Sequence, residues 1–323
     1  MRTWLQRGDL VEVKSAAEIL ATLDADATFQ KMPFMPEMVP FCGQRFRVYR
    51  RADKVCDTIA LNHTSRSPGD TVILVMERCT GDAHGGCQAE CRMYWKETWL
   101  RRVDEDDATP APIAPADEAI AELVALTTAA TSREGDGGTI RYRCQATQLV
   151  DASTKLSLRD PASYTRELTR GNVPTLEWTR VMIRAVNMQT RTKFGRLPLA
   201  PLRGASSKSP TYPLLDLQPG EWVRVKSPEQ IEKTLTDKGM HRGLWFDREF
   251  LPYCGKVFKV RQRVTQIIDE PTGEMRHFSS DCIMLEGTAC SGELSPGRWF
   301  CPRNIQIYWR ECWLERVDAP STT

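Results

Sequence analysis

Only 4 of the 323 residues are histidine, so imidazole-based catalysis and polyhistidine metal sites have few places to sit. Charge of one sign is also missing. With 44 Lys and Arg against 42 Asp and Glu, the formal net charge is +2, which argues against a nucleic-acid partner held by many phosphate contacts. No stretch approaches the roughly 18 uncharged apolar residues that a spanning helix needs. The chain carries neither a phosphate-binding Walker loop nor a dinucleotide fingerprint, and no Ser-His-Asp order can be argued. The start of the chain, Met1 to Asp9, lacks the apolar stretch of a signal peptide. The expectation is a cytoplasmic, bacterial protein.

Cysteine and tryptophan are plentiful: 11 Cys and 9 Trp. Stable disulfides are uncommon in a reducing compartment, so the sulfurs need another account. Ten of the eleven cysteines fall inside an internal duplication. Gly8, Val11, Val13-Lys14-Ser15, Ile19, Phe34, Glu37, Cys42-Gly43, Phe46, Val48, Arg51 and Asp57 recur 212 positions later. The recurring residues are Gly220, Val223, Val225-Lys226-Ser227, Ile231, Phe246, Glu249, Cys254-Gly255, Phe258, Val260, Arg263 and Asp269. After small length changes, Asp70, Cys79, Cys87, Tyr94-Trp95, Glu97 and Trp99-Leu100 match Asp281, Cys290, Cys301, Tyr308-Trp309, Glu311 and Trp313-Leu314. Two copies more than 200 residues apart are duplicated domains rather than a solenoid, whose period is about 20–50 residues.

The expected organisation is a first Cys-rich β module over 1–104, a linker and α/β middle region over 105–216, and a second module over 217–318. Each module opens with a strand signal, Leu10–Val13 and Trp222–Val225, followed by a short helix near Ala16–Leu23 and Pro228–Leu235. Further strands are expected near Phe46–Tyr49, Val72–Met76 and Met93–Val103, and at their second-copy counterparts. Several short strands in about 100 residues suggest a small SH3-like barrel. The fold class is therefore mainly β, an α+β chain with two SH3-like small-barrel modules and a helical middle region. In the middle, the acidic run Asp104–Asp107 and the Pro-rich stretch 109–115 read as a linker, and 198–213 as another. Helices are expected over Glu118–Arg133 and Leu176–Arg191, and a strand carrying Cys144 over Ile140–Val150.

The densest sulfur stretch holds Cys79, His84, Cys87 and Cys91 within thirteen residues, with glycines that let the loop fold around an ion. Three Cys and one His satisfy tetrahedral zinc. Alternatively Cys56 joins Cys79, Cys87 and Cys91, giving the four thiolates of an iron–sulfur cluster. In the second copy Cys282, Cys290 and Cys301, with Cys254 brought near by the fold, form a candidate second site. Without Cys254, three ligands leave an open position of the kind found in catalytic metal centres. Beside this stands plain packing, because free cysteine behaves as a small hydrophobe. Packing is the expectation for Cys144 and Cys312, and competes evenly with ligation for Cys42 and Cys254.

Trp95 and Trp99, like Trp309 and Trp313, are expected in the core. Glu97 and Glu311 would satisfy buried backbone or pair with Arg102 and Arg316. Asp57, Asp269, Asp70 and Asp281 suit Asx turns, and His63, His241 and His277 read as surface residues. The helix beginning at Leu176 is expected to pack its apolar side between domains, with a basic face for an anionic partner or a membrane surface as the alternative.

The strings Gly-Asp-Leu-Val-Glu-Val-Lys-Ser, Phe-Cys-Gly-Gln-Arg-Phe-Arg-Val and His-Gly-Gly-Cys-Gln-Ala-Glu-Cys resemble those of a family of uncharacterised bacterial proteins with two Cys/Trp-rich SH3-like repeats. Asp281-Cys282-Ile283-Met284-Leu285, Cys301-Pro302-Arg303 and Tyr142-Arg143-Cys144-Gln145 add to the resemblance. It implies that the tandem arrangement is a family trait and that such proteins accompany biosynthetic genes, and it carries no activity. The sequence thus leads to a metalloprotein with cysteine-ligated iron–sulfur or zinc, serving a biosynthetic pathway; in its enzymatic version the open second-copy site activates a substrate and the first-copy site is structural. Its rival is a binding or scaffold protein, with a small-molecule or protein partner, whose barrels are stapled by zinc.

Overall fold

The computed structural model describes residues 3–59, 64–104, 118–157, 160–195, 200–278, 282–295 and 297–320. The expected linker over 105–117, His63 and Asp281 lie outside the described residues. The chain groups into two compact units rather than along the three expected segments. One holds Met1–Val181 together with Ile267–Arg276 and Phe300–Arg303; the other holds Met182–Gln266, His277–Trp299 and Asn304–Thr323. Two short segments of the second repeat therefore belong to the first unit.

Each repeat builds the same five-stranded antiparallel sheet, and the structure is mainly β with helices between. In the first, Leu10–Val13, Arg45–Arg51, Thr71–Leu74, Tyr94–Lys96 and Leu100–Arg102 run in the spatial order fifth, first, second, third, fourth. In the second repeat Trp222–Val225, Val257–Arg263, Cys282–Ala289, Gln306–Arg310 and Leu314–Arg316 take the same order. Registers agree residue for residue: Val11 faces Phe46 and Arg102, while Val223 faces Phe258 and Arg316. Both second strands carry a register shift at the same place, between Val48 and Arg50 and between Val260 and Gln262. Among the described residues the two edge strands of each sheet do not pair with one another, so each sheet is open.

Local chemistry explains the repeated elements. Gly8 and Gly220 take φ of 90° and 92°, a left-handed turn closed to most side chains, and each donates its N–H back to Val48 or Val260. Ser15 and Ser227 cap the short helices with reciprocal bonds to Glu18 and Gln230. Trp95, Trp99, Trp309 and Trp313 are wholly buried. Phe34 meets Trp99 edge-on at 5.1 Å and Phe246 meets Trp313 at 5.3 Å, the arrangement that ring quadrupoles favour. Buried indole N–H groups need partners, and Thr22 and Thr234 supply them to Trp99 and Trp313 at 3.1 and 2.8 Å. Cys312 lies in the same apolar core of the second repeat as Trp309 and Trp313.

Glu97 and Glu311 do not depend on Arg102 or Arg316 as expected. Just past the register shift, Arg51 and Arg263 turn to these carboxylates and also donate to the carbonyls of Leu5 and Leu217. Glu311 accepts the backbone N–H groups of Leu215, Asp216 and Leu217 as well. Arg102 and Arg316 instead pair with Asp9 and Glu221.

Three further expectations change. The strand predicted over Ile140–Val150 stops at Tyr142, because Cys144 enters a turn in which Thr147 and Gln148 bond back to it. His241 is buried rather than on the surface, with Nδ1 2.8 Å from the carbonyl of Thr234. The helix over Thr175–Lys193 forms, with Val181 and Ala185 buried but Leu176, Ile183 and Val186 exposed. Among the described residues no helix is long and apolar enough to cross a membrane.

Candidate metal centre

The loop joining the third and fourth strands of the first repeat is shaped by backbone that only glycine enters cheaply. Gly81, Gly85 and Gly86 have φ of 75°, 65° and 73°. A Cβ on Gly81 would stand 2.0 Å from the carbonyl oxygen of Cys87, and one on Gly85 2.3 Å from the hydroxyl of Tyr142. The base of the loop is tied by the Cys79 N–H donating to the Cys91 carbonyl at 2.9 Å. Glu37 holds its tip: Oε1 accepts from Ala83 N at 3.3 Å and lies 2.8 Å from His84 Nδ1. Glu249, the counterpart of Glu37, does the same for the second repeat, accepting N–H groups from Ser291, Leu294 and Ser295.

These contacts engage the His84 ring within the chain. Its second nitrogen, Nε2, lies 3.3 Å from the carbonyl of Arg143. Each ring nitrogen thus has an oxygen of this chain beside it.

Cys144 comes to the loop instead. Its neighbour Gln145 is 3% exposed and docks like an added strand on Tyr94. Tyr94 N donates to Gln145 Oε1 at 2.7 Å, and Gln145 Nε2 donates to the carbonyls of Tyr94 and Pro33 at 2.8 and 3.0 Å. Cys79, Cys87, Cys91 and Cys144 consequently share one neighbourhood. Burial is the largest influence on the thiols, pushing Cys91 up to about 12 and Cys144 to about 11, with Cys79 higher still. Beyond burial, Glu37 raises Cys79 and Glu270 raises Cys91 while Arg303 lowers it; smaller influences run between the thiols, from Cys91 and Cys144 on Cys79, from Cys144 and Cys87 on Cys91, and from Cys87 on Cys144. Such thiols are poor nucleophiles when left alone.

Cys56, expected to complete that set, is engaged elsewhere in the same unit. Its N–H donates to Cys301 Sγ at 3.2 Å, and both residues are buried. Arg303 packs beside them, donating to the Cys56 carbonyl, to Thr58 Oγ1 and to Glu270 Oε1. The buried Tyr94 hydroxyl nearby has no hydrogen-bond partner among the described residues. A reciprocal contact completes the picture: Ile268 N–H donates to Cys87 Sγ at 3.4 Å. Cys87 and Cys301 are repeat counterparts, as are Ile268 and Cys56. Each conserved-position sulfur thus accepts an N–H from the other copy's segment.

The second-copy set does not assemble. Cys282 opens the strand Cys282–Ala289 and Cys290 follows its end; they face Arg310 and Ile305 of the neighbouring segment, five residues or about 16 Å apart along an extended chain. Cys254 sits at a turn like that of Cys42, with Sγ 4.0 Å from the carbonyl of Phe250. Cys301 belongs to the first unit. None of the eleven cysteines is in a disulfide. Among the described residues no group of three or more His, Cys, Asp or Glu closes tightly enough to hold a single metal ion. The chain matches no protein-family model, no curated protein and no solved structure.

Proposed function

We propose that Cys79, Cys87, Cys91 and Cys144 hold an iron–sulfur cluster, and that the protein is a cytoplasmic metalloprotein of a biosynthetic pathway. One observation carries this: four half-buried cysteines are drawn into one neighbourhood from two separate stretches of chain, and burial disfavours ionisation of Cys79, Cys91 and Cys144 unless a cationic centre offsets it. The four influence one another without closing on one point, which suits a cluster several ångströms across better than one ion. The Ile268 N–H on Cys87 Sγ and the Arg303 charge felt by Cys91 are features that tune cluster potential. When bound, such a cluster supplies one-electron transfer or Lewis acidity. This chain's own residues position it: Gln145 fixes Cys144, Glu37 fixes the loop tip, and the glycines admit the loop's curvature.

Zinc in the Cys79, His84, Cys87 and Cys91 set has less support, since each His84 ring nitrogen has an oxygen of this chain beside it. For the scaffold we propose SH3-like barrels, supported by the strand order of each sheet and by the 3-10 turn before each fifth strand. The pathway assignment rests on the resemblance of the repeat strings.

Anaerobic purification with iron, zinc and acid-labile sulfide analysis tests the cluster. Iron and sulfide in matching amounts, with broad visible absorbance, is the expected result. Zinc alone would favour a structural staple and a non-catalytic binding role. Absence of all three overturns the metal reading.

A further inference from the structure

The reciprocal contact has one half that is a sulfur pair. Cys56 N lies 3.2 Å from Cys301 Sγ. The Cys56 Cα is one bond of about 1.5 Å beyond that nitrogen, and a cysteine's own Cα and Sγ are about 2.8 Å apart. The two Cα atoms therefore lie within about 7.5 Å, a ceiling reached only with every atom in line, against the roughly 4.4–6.8 Å that a disulfide spans. Neither cysteine is in a disulfide, and Cys56 is 3% and Cys301 4% exposed. The buried Lys54 amine lies within electrostatic reach of both sulfurs: burial lowers its pKa, and Cys301 and Cys56 each offset part of that. The other half of the contact, Ile268 on Cys87, has no second sulfur.

We propose that Cys56 and Cys301 form a redox-active dithiol that closes to a disulfide by exchange with a low-molecular-weight disulfide. One protein thiolate attacks the small disulfide, forming a mixed disulfide and expelling one small thiolate. The second protein thiol gives its proton to solvent, attacks the mixed disulfide and expels the other small thiolate. Two electrons and two protons pass from the protein to the small disulfide, which leaves as two thiols. The product fastens Phe300–Arg303 covalently to the strand Val55–Cys56. The inference is independent of the four-thiol centre, because it uses neither its residues nor its metal.

The test treats full-length, anaerobically purified protein with oxidised glutathione, then quenches with acid, alkylates, digests and maps the cysteines by mass spectrometry. The expected product is the Cys56 peptide joined to the Cys301 peptide, lighter than their sum by two hydrogens and separated again by dithiothreitol. In Cys301→Ser, Cys56 is expected as the glutathione mixed disulfide or free, and never cross-linked. The proposal is overturned if prolonged exposure leaves both residues separately alkylated in wild-type protein whose circular dichroism is unchanged. Linkage of Cys56 or Cys301 to other cysteines overturns it as well. Iron content read on the same samples reports on the other centre separately.

Discussion

Replacing Gln145 with alanine removes three hydrogen bonds at once and leaves the Tyr94 N–H and the Tyr94 and Pro33 carbonyls to find other partners in a buried place. A stranded buried donor costs about 1–3 kcal/mol, and each hydrogen bond lost is worth about 1 kcal/mol net. The stranded Tyr94 N–H and the two lost carbonyl bonds sum to about 3–5 kcal/mol, a large share of the roughly 5–15 kcal/mol that a folded domain commands. Because Gln145 is what docks Cys144, the same change should cost the centre its fourth thiol. Urea unfolding followed by tryptophan fluorescence reads the first effect, and iron per chain in anaerobically purified protein reads the second. Gln145→Glu sharpens the comparison. Its carboxylate still accepts from Tyr94 N but has no N–H for the two carbonyls, and it buries a charge, so it should be at least as damaging. If Gln145→Ala unfolds within about 0.5 kcal/mol of wild type, the ordinary range for a neutral surface change, and keeps its iron, then Gln145 does not position Cys144 and the account fails.

Cys144→Ala should abolish iron binding while Cys254→Ala leaves it intact; equal loss in both, measured by iron and sulfide analysis, would remove Cys144 from the centre. Gly85→Ala forces both a left-handed φ and a close approach to the Tyr142 hydroxyl. It should destabilise by about 1 kcal/mol or more and speed proteolysis within 79–91, which limited digestion would show. Glu167 is fully buried, and burial raises its carboxyl from 4.5 to about 8. The folded state therefore keeps a proton that the unfolded chain releases. The stability that this proton contributes is complete below about pH 4.5 and is lost as pH rises through about 8. Unfolding midpoints of Glu167→Gln across that window should fall less steeply than those of wild type, and parallel slopes would refute the assignment.

The duplication was legible because a sheet register is written in side-chain alternation, and both copies keep Val11 and Val13, or Val223 and Val225, on the buried face. The Trp strings were legible for the same reason. Cys144 was not, since it lies in a segment without a repeat counterpart and its role depends on Gln145 reaching Tyr94, 51 residues away. His84 looked like a ligand by spacing alone, and only the fold shows Glu37 and Arg143 occupying its two nitrogens. The second-copy site dissolved because extended backbone carries Cys282 and Cys290 apart, a distance that residue spacing leaves unstated until strand geometry is assigned. Glu97 and Glu311 were expected to satisfy buried backbone, as Glu311 does, or to pair with Arg102 and Arg316. A register shift in the second strand instead supplied Arg51 and Arg263.

The exchanged N–H to sulfur contact bears on what a single chain can encode. When a residue of one copy meets a residue of the other and the converse contact is also made, the pair has the isologous form that a two-fold homodimer imposes on its interface. In a homodimer the two halves are encoded by one codon and must change together. A single chain carrying two copies is free of that constraint, and position 56 differs from its counterpart 268. One half is an isoleucine against Cys87, and the other is a thiol against Cys301. The exchanged contact can therefore hold a second sulfur on one side only, which a symmetric homodimer cannot encode.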